Sequence, residues 1–588
     1  MEQYRQECRN IIINIITDMA KEKGISEKEL SFDQLAAENP PKPEYGDIAF
    51  PLFPFAKSFK DAPPKIAAAV AGKLAEVKNP LIEKAQAAGP YINVTLLRAA
   101  ICTSVIESVE KEQERYGTNN HLRGTKIMLE FSCPNTNKPL HLGHLRNDSL
   151  GESVGKILKK SGAEVLKVDL INDRGIHICK SMLAYQKFGN NTTPESEGMK
   201  SDHFVGNYYV KYAEWEKKEP EIIEQARKML IDWESGDEQV RLLWKTMNKW
   251  AIDGVKQTYE ATGIEFDKYY FESETYELGR DEVLKGLEKG VFFKKDDGSI
   301  WVDLKAYDLD EKVLLRSDGT SLYLTQDIGT AISRSKDWPF ERMIYVVASE
   351  QNYHFKVLFL VLGMLGYEWA KNCYHLSYGM VNLPEGKMKS REGTVVDADD
   401  LLAELIDYAV KEIESRERDD DAQDIKTISN AIALGALNYY LLSASPHKDI
   451  IFDPEKSISF NGDTGPYLQY TSARISSILR KYEERKDQYQ NGKYDPSLLT
   501  VQEEWDIIKL IAGFPDLVAK AADEYNPSLV TAFLFELAKL FAKYYHDNPV
   551  LKNEDQNLVM TRIALLKAIL PVLKSGFQLV GIPFLERM

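Results

Sequence analysis

Two histidines on either side of a glycine are the residues of this chain best placed to do chemistry. His141 and His144 lie three positions apart, with Gly143 between them. Imidazole N–H groups can donate hydrogen bonds to phosphate oxygens as negative charge develops there. Zinc ligands on a helix usually lie four positions apart with further ligands nearby, so a pair of metal ligands is a weaker interpretation than phosphate binding. The remaining alternative is that the two histidines lie close together by chance and have no function.

The sequence around this pair predicts a strand, a loop, a helix and a second strand. Residues 126–131 are mostly apolar, and a loop rich in Pro and Asn follows them. Apolar residues then recur at helical spacing as far as Gly162, and residues 164–170 predict the second strand. The free N–H groups and partial positive charge of a helix N-terminus attract phosphate. The histidine pair at the start of this helix therefore predicts a nucleotide site.

A second candidate motif is a loop rich in Gly and Lys at residues 381–394. It contains Lys387, Met388, Lys389 and Arg391, and the flanks at 374–378 and 394–396 predict strands. Lysine acts in such loops as a flexible point charge that can close over a polyphosphate. A solvated basic turn is the alternative interpretation.

Together the two motifs resemble the signature pair of class I aminoacyl-tRNA synthetases. Residues 141–144 resemble the first signature, usually His-Ile-Gly-His, and residues 387–391 resemble the second, usually Lys-Met-Ser-Lys-Ser. Within that class the chain resembles the arginyl-tRNA synthetases over nearly its whole length. The landmarks, in chain order, are residues 130–146, 318–320 with Tyr323 and Asp327, 346–347 with Gln351 and His354, 463–474, and 585–588.

The resemblance implies an α/β multidomain fold. It implies a Rossmann-like, parallel-sheet catalytic domain between an N-terminal α/β domain and a C-terminal all-α helical bundle. The catalytic domain is expected to carry a helical insertion, whose four tryptophans are interpreted as core residues and not as a platform on which bases stack. The expected divisions are residues 1–115 for the N-terminal tRNA-contacting domain, 116–380 for the catalytic domain with a helical insertion at about 190–262, 381–455 for the lysine signature loop and connecting helices, and 456–588 for the helical anticodon-binding domain.

The implied activity is the attachment of L-arginine to tRNA(Arg) in two steps. ATP and arginine first give arginyl-adenylate and pyrophosphate, and the arginyl group then passes to the 3′-terminal ribose of the tRNA. ATP with Mg²⁺ is expected as substrate, with no structural zinc, no metal ligands from the protein and a monomeric chain. In the family, activation also depends on bound tRNA. The alternatives are a class I synthetase of different amino-acid specificity and a non-catalytic tRNA-binding relative.

The arginine site is predicted partly from chemistry and partly from the resemblance. A buried guanidinium needs a carboxylate, and Asp327 follows Tyr323 by four positions, so both would share a face of a helix that begins near Thr325 or just before it. A helix-capping role is the alternative for Asp327. The resemblance places the following residues around arginine: Tyr323, Asp327 and Glu130 near the guanidinium, Asn135 and Gln351 at the α-amino and carboxylate groups, and Cys133, where the family commonly has serine, without an assigned chemical role.

The second signature departs from the usual form at its fourth position. The usual catalytic lysine is replaced by Ser390, and Lys138 is the candidate for the compensating charge. Which lysine meets the departing pyrophosphate is left open. The predicted catalytic residues are His141, His144, Lys138, Lys387 and Lys389, and the predicted ATP-binding residues are His141, Gly143, His144, Lys387 and Met388.

Composition is compatible with this resemblance but would not by itself indicate it. The chain has 588 residues, 44% of them hydrophobic and 28% charged, which is typical of a globular protein of several domains. Its five cysteines are scattered without a C-x-x-C pair, which argues against zinc and for a reducing cytoplasm. No signal-peptide pattern or membrane-spanning apolar run is found, so no membrane association is expected. The net charge of −16 means that tRNA binding would require a local basic surface.

Overall fold

The N-terminal part of the chain is an α/β module. The computed structural model describes residues 1–77, 79–384, 396–414 and 422–588. In the module, α3 packs on an antiparallel sheet of order β1-β3-β2, and α1 packs on α3. Helix α3 begins at a proline, whose fixed φ suits a first helical turn. The elements are α1 (Glu2–Glu22), β1 (Ile48–Pro51), α2 (Ala56–Phe59), α3 (Pro63–Glu76), β2 (Ile82–Ala88), β3 (Tyr91–Leu96) and α4 (Arg98–Glu112).

The middle of the chain alternates strands and helices, as its apolar periodicity predicts. The strands expected at 126–131, 164–170 and 374–378 are all present, and residues 343–348, whose apolar run also predicts a strand, lie in another one. The elements are β4 (Lys126–Glu130), α5 (Leu142–Lys160), β5 (Glu164–Ile171), α6 (Ile176–Phe188), α7 (Ser201–Lys218), α8 (Ile222–Glu234), α9 (Glu238–Thr262), β6 (Lys268–Phe271), α10 (Glu272–Glu288), β7 (Phe293–Lys294), β8 (Ile300–Val302), β9 (Lys312–Leu315), α11 (Tyr323–Asp337), β10 (Arg342–Ala348), α12 (Asn352–Met364), β11 (Cys373–Tyr378) and β12 (Val381–Asn382).

Five of these strands form one parallel sheet, in the order β11-β10-β4-β5-β6. Met128 and Met343 lie side by side across β4 and β10, and both are fully buried. The strand order reverses between β4 and β10, and in open α/β sheets ligands bind beyond the carboxyl ends of the strands at such a point. The residues that follow β4 and β10 therefore lie where a site is expected.

Four helices, α6 to α9, form an excursion between β5 and β6 with an apolar core of their own. Trp233 is buried in this core, and Trp215, Trp244 and Trp250 are partly buried against it. The interpretation of these tryptophans as core residues is therefore confirmed. The small antiparallel sheet β7-β8-β9 precedes α11.

The C-terminal part is helical and packs against the rest of the chain. Helix α20 contacts α4 and α5, α16 contacts α14, and one apolar core extends from Tyr4 to Ile582. The acidic stretch at residues 418–421, for which the sequence predicts a solvated linker, lies outside the described residues. Among the described residues, no helix is long and apolar enough to span a membrane. The elements are α13 (Ala398–Glu414), α14 (Ala422–Leu442), β13 (Ile450–Ile451), α15 (Pro454–Ser457), α16 (Gly465–Glu484), α17 (Gln502–Ala512), α18 (Phe514–Asp523), α19 (Ser528–Asp547) and α20 (Gln556–Leu579).

Candidate active site

The two signature histidines form a hydrogen-bonded pair at the N-terminus of α5. The backbone N–H of Gly143 donates to Nδ1 of His141 at 3.0 Å, and the backbone N–H of His141 donates to Nδ1 of His144 at 3.1 Å. Because a backbone N–H only donates, both Nδ1 atoms are unprotonated acceptors, and the proton of each neutral ring is on Nε2. Burial, together with the nearby Lys138, lowers the pKa of His141 to about 4, and burial lowers the pKa of His144 well below its usual value. Both rings therefore offer neutral Nε2–H donors.

Gly143 is required by the packing of this pair. A Cβ atom at position 143 would lie 2.8 Å from Cε1 of His141, which is closer than non-bonded carbon atoms approach. The two imidazole ring centroids are 4.0 Å apart. A larger residue at position 143 would displace His141 from the helix N-terminus.

The segment that follows the second signature, from Val396 onward, lies against the first signature at residues 141–144. Lys387, Met388 and Lys389 lie outside the described residues, as do two of the three residues of the strand expected at 394–396. The chain is described again from Val396, whose carbonyl accepts from the N–H of Leu142 at 3.0 Å, and the N–H of Ala398 donates to Leu140 at 3.0 Å. The fold thus brings the C-terminal flank of the lysine loop to the first signature.

Tyr323 and Asp327 lie on the first two turns of α11, which begins at Tyr323, slightly before the expected start. Tyr323 is 71% exposed. Oδ2 of Asp327 lies 2.6 Å from Nε2 of His354, and α11 has no side-chain cap, so the capping alternative for Asp327 is wrong. Gln351 is exposed between β10 and α12, three residues before His354.

Glu130, the last residue of β4, is buried and forms an ion pair with Arg334 of α11. Burial raises the pKa of Glu130, while Arg334 opposes this rise. The charge of Glu130 therefore already has a partner within the protein. Asp327, whose side chain is 33% exposed, is the more accessible of these two carboxylates.

Cys133 lies in a tight loop after β4. Ser132 and Cys133 both adopt positive φ angles, of 71° and 53°. The N–H of Cys133 donates to Oδ1 of Asp169 at 3.0 Å, and Nδ2 of Asn172 donates to its carbonyl at 3.0 Å. Burial raises the pKa of the Cys133 thiol well above its usual value, so the thiol remains protonated. Its backbone, rather than its sulfur, organises this loop.

Two organising residues of the site were missed by sequence reasoning. Oδ1 of Asn147 accepts from the N–H of Ser132 at 2.6 Å, and its Nδ2 donates to the carbonyl of Val346 at 2.8 Å and to the hydroxyl oxygen of Tyr378 at 3.1 Å. This one amide joins the loop after β4 to β10 and β11. The hydroxyl of Tyr259 lies 2.6 Å from Oγ of Ser132. The partners are remote in sequence, and the only local signal was a polar residue on an otherwise apolar helix face.

A pocket of about 500 Å³ opens beside the first signature. It lies between the loop after β4, the starts of α6 and α7, and Tyr323. Among its lining residues, Asn135, Lys138, His141 and Tyr323 were predicted, whereas Asn137, His177 and His203 were not. Burial lowers the pKa of Lys138. Four predicted arginine-site residues, Glu130, Cys133, Asp327 and Gln351, do not line this pocket.

One group within the described ranges has the donor atoms of a metal site: Asp202, His203 and Asp399. The ammonium of Lys200 lies 2.6 Å from Oδ2 of Asp399 and 3.1 Å from Oδ2 of Asp202. This ammonium already balances the carboxylates, so the cluster fits a salt-bridge network better than a resident metal.

Comparison with known proteins identifies the family. Three family models match: "Arginyl tRNA synthetase N terminal domain" over residues 6–96, "tRNA synthetases class I (R), catalytic domain" over 105–454, and "DALR anticodon binding domain" over 468–588. The Arginine--tRNA ligase of Treponema denticola is 56% identical, and that of Treponema pallidum is 49% identical, each over the full length of both chains. The chain belongs to the arginyl-tRNA synthetase family.

Solved structures of this family share the fold. The Thermus thermophilus arginyl-tRNA synthetase superposes with a TM-score of 0.80 at 25% identity, covering 99% of this chain and 100% of that one. The Plasmodium falciparum enzyme superposes with a TM-score of 0.75 at 19% identity, covering 99% of each chain. The predicted fold class is confirmed: a parallel-sheet catalytic domain between an N-terminal α/β domain and a C-terminal helical domain.

Proposed function

We propose that this chain attaches L-arginine to tRNA(Arg) by the two-step reaction of its family. The arginine carboxylate attacks the α-phosphorus of ATP, a new P–O bond forms, and the bond to the β-phosphate oxygen breaks with release of pyrophosphate. A hydroxyl of the tRNA 3′-terminal ribose then attacks the arginyl carbonyl, and AMP leaves. Neither step needs a side-chain nucleophile, so catalysis consists of positioning and charge stabilisation.

The observation that supports this proposal most strongly is the state of the signature histidines. Two neutral imidazoles with Nε2–H donors stand at a helix N-terminus beside Lys138. Neutral donors of this kind stabilise charge on phosphate oxygens without giving up a proton. In this proposal His141 and His144 bind ATP with Gly143 and Met388, while Lys138, Lys387 and Lys389 neutralise the departing pyrophosphate. Mg²⁺ enters with ATP as part of the substrate.

For arginine, we assign the guanidinium to Asp327 and Tyr323. Asp327 is supported by His354, and its carboxylate remains partly accessible for a bidentate contact. Asn135 and Gln351 are assigned to the α-amino and carboxylate groups. Glu130 is assigned to the neighbourhood of the guanidinium, where Arg334 pairs with its charge, and Cys133 to the loop after β4 beside the arginine substrate.

The proposed partner tRNA(Arg) would contact the N-terminal, catalytic and C-terminal parts of the chain. We assign residues 1–115 to an N-terminal tRNA-contacting domain, 116–380 to the catalytic domain with its insertion at about 190–262, 381–455 to the signature loop and connecting helices, and 456–588 to anticodon binding. The protein is proposed to work as a monomer in the cytoplasm.

The test is aminoacylation of total tRNA with each of the twenty amino acids in turn. Charging is expected with arginine only. Charging with a different amino acid would establish another class I specificity. Binding of tRNA without any charging would establish a non-catalytic relative.

A further inference from the structure

One imidazole nitrogen of the pocket beside the first signature lacks a hydrogen-bond partner among the described residues. Nε2 of His177 is buried and makes no hydrogen bond within the part of the chain that the structure describes. His177 is the second residue of α6, and it lines the same pocket as Lys138 and His141. Buried polar atoms in folded proteins are almost always paired, so this nitrogen of a pocket-lining residue is available to a partner from outside the chain.

The charge of His177 is determined by its surroundings. Burial, with smaller contributions from Lys138 and Lys180, lowers the pKa of His177 to about 4. The ring is therefore neutral at physiological pH. A neutral ring can donate one N–H without adding a second positive charge beside Lys138.

The other charged groups at this pocket are already engaged. Oδ1 of Asp397 accepts from the N–H of Asp399 at 2.8 Å, and its Oδ2 lies 3.6 Å from Nε2 of His203. Lys138 has no ion-pair partner among the described residues. A lysine and an imidazole nitrogen that have no protein partner within the described ranges match a ligand that is rich in acceptor oxygens and negatively charged, provided that the proton of the neutral ring is on Nε2.

We propose that His177 is a third imidazole ligand of ATP, donating from Nε2 to an oxygen of the part that leaves as pyrophosphate. This inference rests on the proposed function. When the bond to the α-phosphorus breaks, its electron pair passes to the pyrophosphate oxygen. His177 and Lys138 then stabilise the added negative charge. His177 keeps its proton, so it acts as a hydrogen-bond donor and not as a general acid.

Three substitutions at this position separate the hydrogen bond from the volume of the ring. His177→Phe keeps the volume of the ring but has no hydrogen-bond donor. His177→Ala removes both the ring and the donor. His177→Gln replaces the ring but retains an N–H donor at a similar distance from the backbone. We expect His177→Phe and His177→Ala to lower the rate of arginine-dependent ATP–pyrophosphate exchange by on the order of a hundredfold to a thousandfold, as for removal of one donor to developing charge. His177→Gln should recover most of the rate, and the KM for arginine should stay unchanged in all three.

The phosphate oxygens that accept from His177 could belong to the 3′ end of tRNA instead of ATP. The second half-reaction, which uses tRNA but not ATP, distinguishes these two sources. Transfer of arginine from preformed arginyl-adenylate to tRNA should be unaffected in all three variants. A loss confined to transfer would overturn the assignment to ATP. Full exchange activity in His177→Phe, or no recovery in His177→Gln, would overturn the role of the donor.

Calorimetric binding of pyrophosphate makes the test independent of amino-acid specificity. His177→Phe should weaken pyrophosphate binding, and His177→Gln should not, even if the wild-type protein activates an amino acid other than arginine. Unchanged binding in His177→Phe counts against the inference. His121→Ala, at an exposed histidine 2.7 Å from Asp523, is the matched control and should behave as wild type. Circular dichroism confirms that each variant is folded.

Discussion

Two carboxylates near the candidate arginine site differ in their partners. Glu130 is neutralised by the buried guanidinium of Arg334, whereas Asp327 is bound to an imidazole of His354 and remains partly accessible. Asp327 is therefore the carboxylate of this pair that can form an ion pair with the guanidinium of a substrate. This difference was not visible in the sequence, where both residues were assigned to the guanidinium.

Asp327→Asn should impair the use of arginine specifically. The substitution keeps the side-chain shape but removes the charge that pairs with the guanidinium, and loss of one partner of a desolvated charge pair costs about 2–5 kcal/mol. We expect kcat/KM for arginine to fall by at least about a hundredfold with the KM for ATP nearly unchanged. Asp337→Asn, on the last turn of the same helix, is the control. A loss below about tenfold would exclude Asp327 as the main guanidinium ligand.

Lys138→Ala should slow the activation step while leaving arginine affinity unchanged. In the proposed mechanism the ammonium faces charge that develops on the departing pyrophosphate, and such contacts act on rate more than on ground-state binding. Exchange kinetics at saturating arginine should show a loss on the order of a hundredfold. Lys389→Ala is the comparator. If Lys389→Ala abolishes exchange and Lys138→Ala has no effect, Lys138 does not compensate for the lysine missing at position 390.

Sequence reasoning located the site residues that belong to contiguous motifs and missed those defined by tertiary contacts. The histidine pair was predicted because strand, loop and helix N-terminus follow one another along the chain, and Lys138 because the second signature lacks its usual fourth-position lysine. Tyr259 was missed because its partner Ser132 is 127 positions away. Asn147 was missed because its role appears only when β10 and β11 are placed beside the loop after β4. His177 carried no local pattern at all.

At the scale of secondary-structure elements, the helical excursion is joined to the start of α13 by an electrostatic cluster. Nε2 of His203, on α7, lies 2.9 Å from Oδ2 of Asp399, and the hydroxyl of Thr258 on α9 donates to Oδ1 of Asp399 at 3.0 Å. The residues just before Asp399 pair with Leu140 and Leu142. The excursion thus supports the segment that lies against the first signature. The sequence predicted a helical insertion at about 190–262, but it gave no information on this contact.

The cluster should make stability depend on pH. The hydrogen bond to Asp399 raises the pKa of His203 despite burial, with Asp397 and Asp202 also nearby. Burial alone would raise the pKa of Asp399, but His203 and Lys200 lower it to about 2. The His203 contribution is therefore complete below its unfolded-state pKa and is lost as the pH rises through its folded-state value. The Asp399 contribution is lost only as the pH falls towards 2.

His203→Gln should therefore destabilise the protein more at pH 6 than at pH 8.5. The expected difference in the free energy of unfolding is about 0.5–1 kcal/mol, typical of a partly exposed ion pair. Thermal or denaturant unfolding at the two pH values measures it. His203→Lys, which keeps its charge at both values, should abolish the difference. An equal effect of His203→Gln at both pH values would mean that His203 acts through packing alone.

At the scale of the whole molecule, the C-terminal helices complete the hydrophobic core rather than forming a detachable unit. Oγ of Ser153 on α5 donates to the carbonyl of Leu579 at 2.7 Å, and Oγ of Ser575 on α20 donates to the carbonyl of Tyr116 at 2.8 Å. Both hydroxyls are buried. Truncation before α16 would expose this interface. Anticodon binding is therefore better tested by substitutions on the exposed surface.

Arg474 on α16 is suited to that test. Its side chain is exposed, and its guanidinium lies 5.3 Å from the ring centre of Tyr470 and 5.7 Å from that of Tyr545. A cation beside aromatic rings can contact both the phosphates and the unstacked bases of an RNA loop. The net charge of −16 repels tRNA overall, so local cations of this kind have to supply the attraction.

Arg474→Ala should weaken tRNA binding and reduce its dependence on salt. Removal of one phosphate contact lowers the slope of log affinity against log salt by about 1. Filter binding or fluorescence titration over a series of salt concentrations measures both quantities, and the KM for arginine should not change because α16 lies away from the amino-acid site. Lys520→Ala, which removes an exposed cation already 3.8 Å from Glu524, is the control and should leave the slope unaltered. If the two variants have the same slope as wild type, the surface around Arg474 does not contact tRNA, and the anticodon must be read by another face of the helical domain.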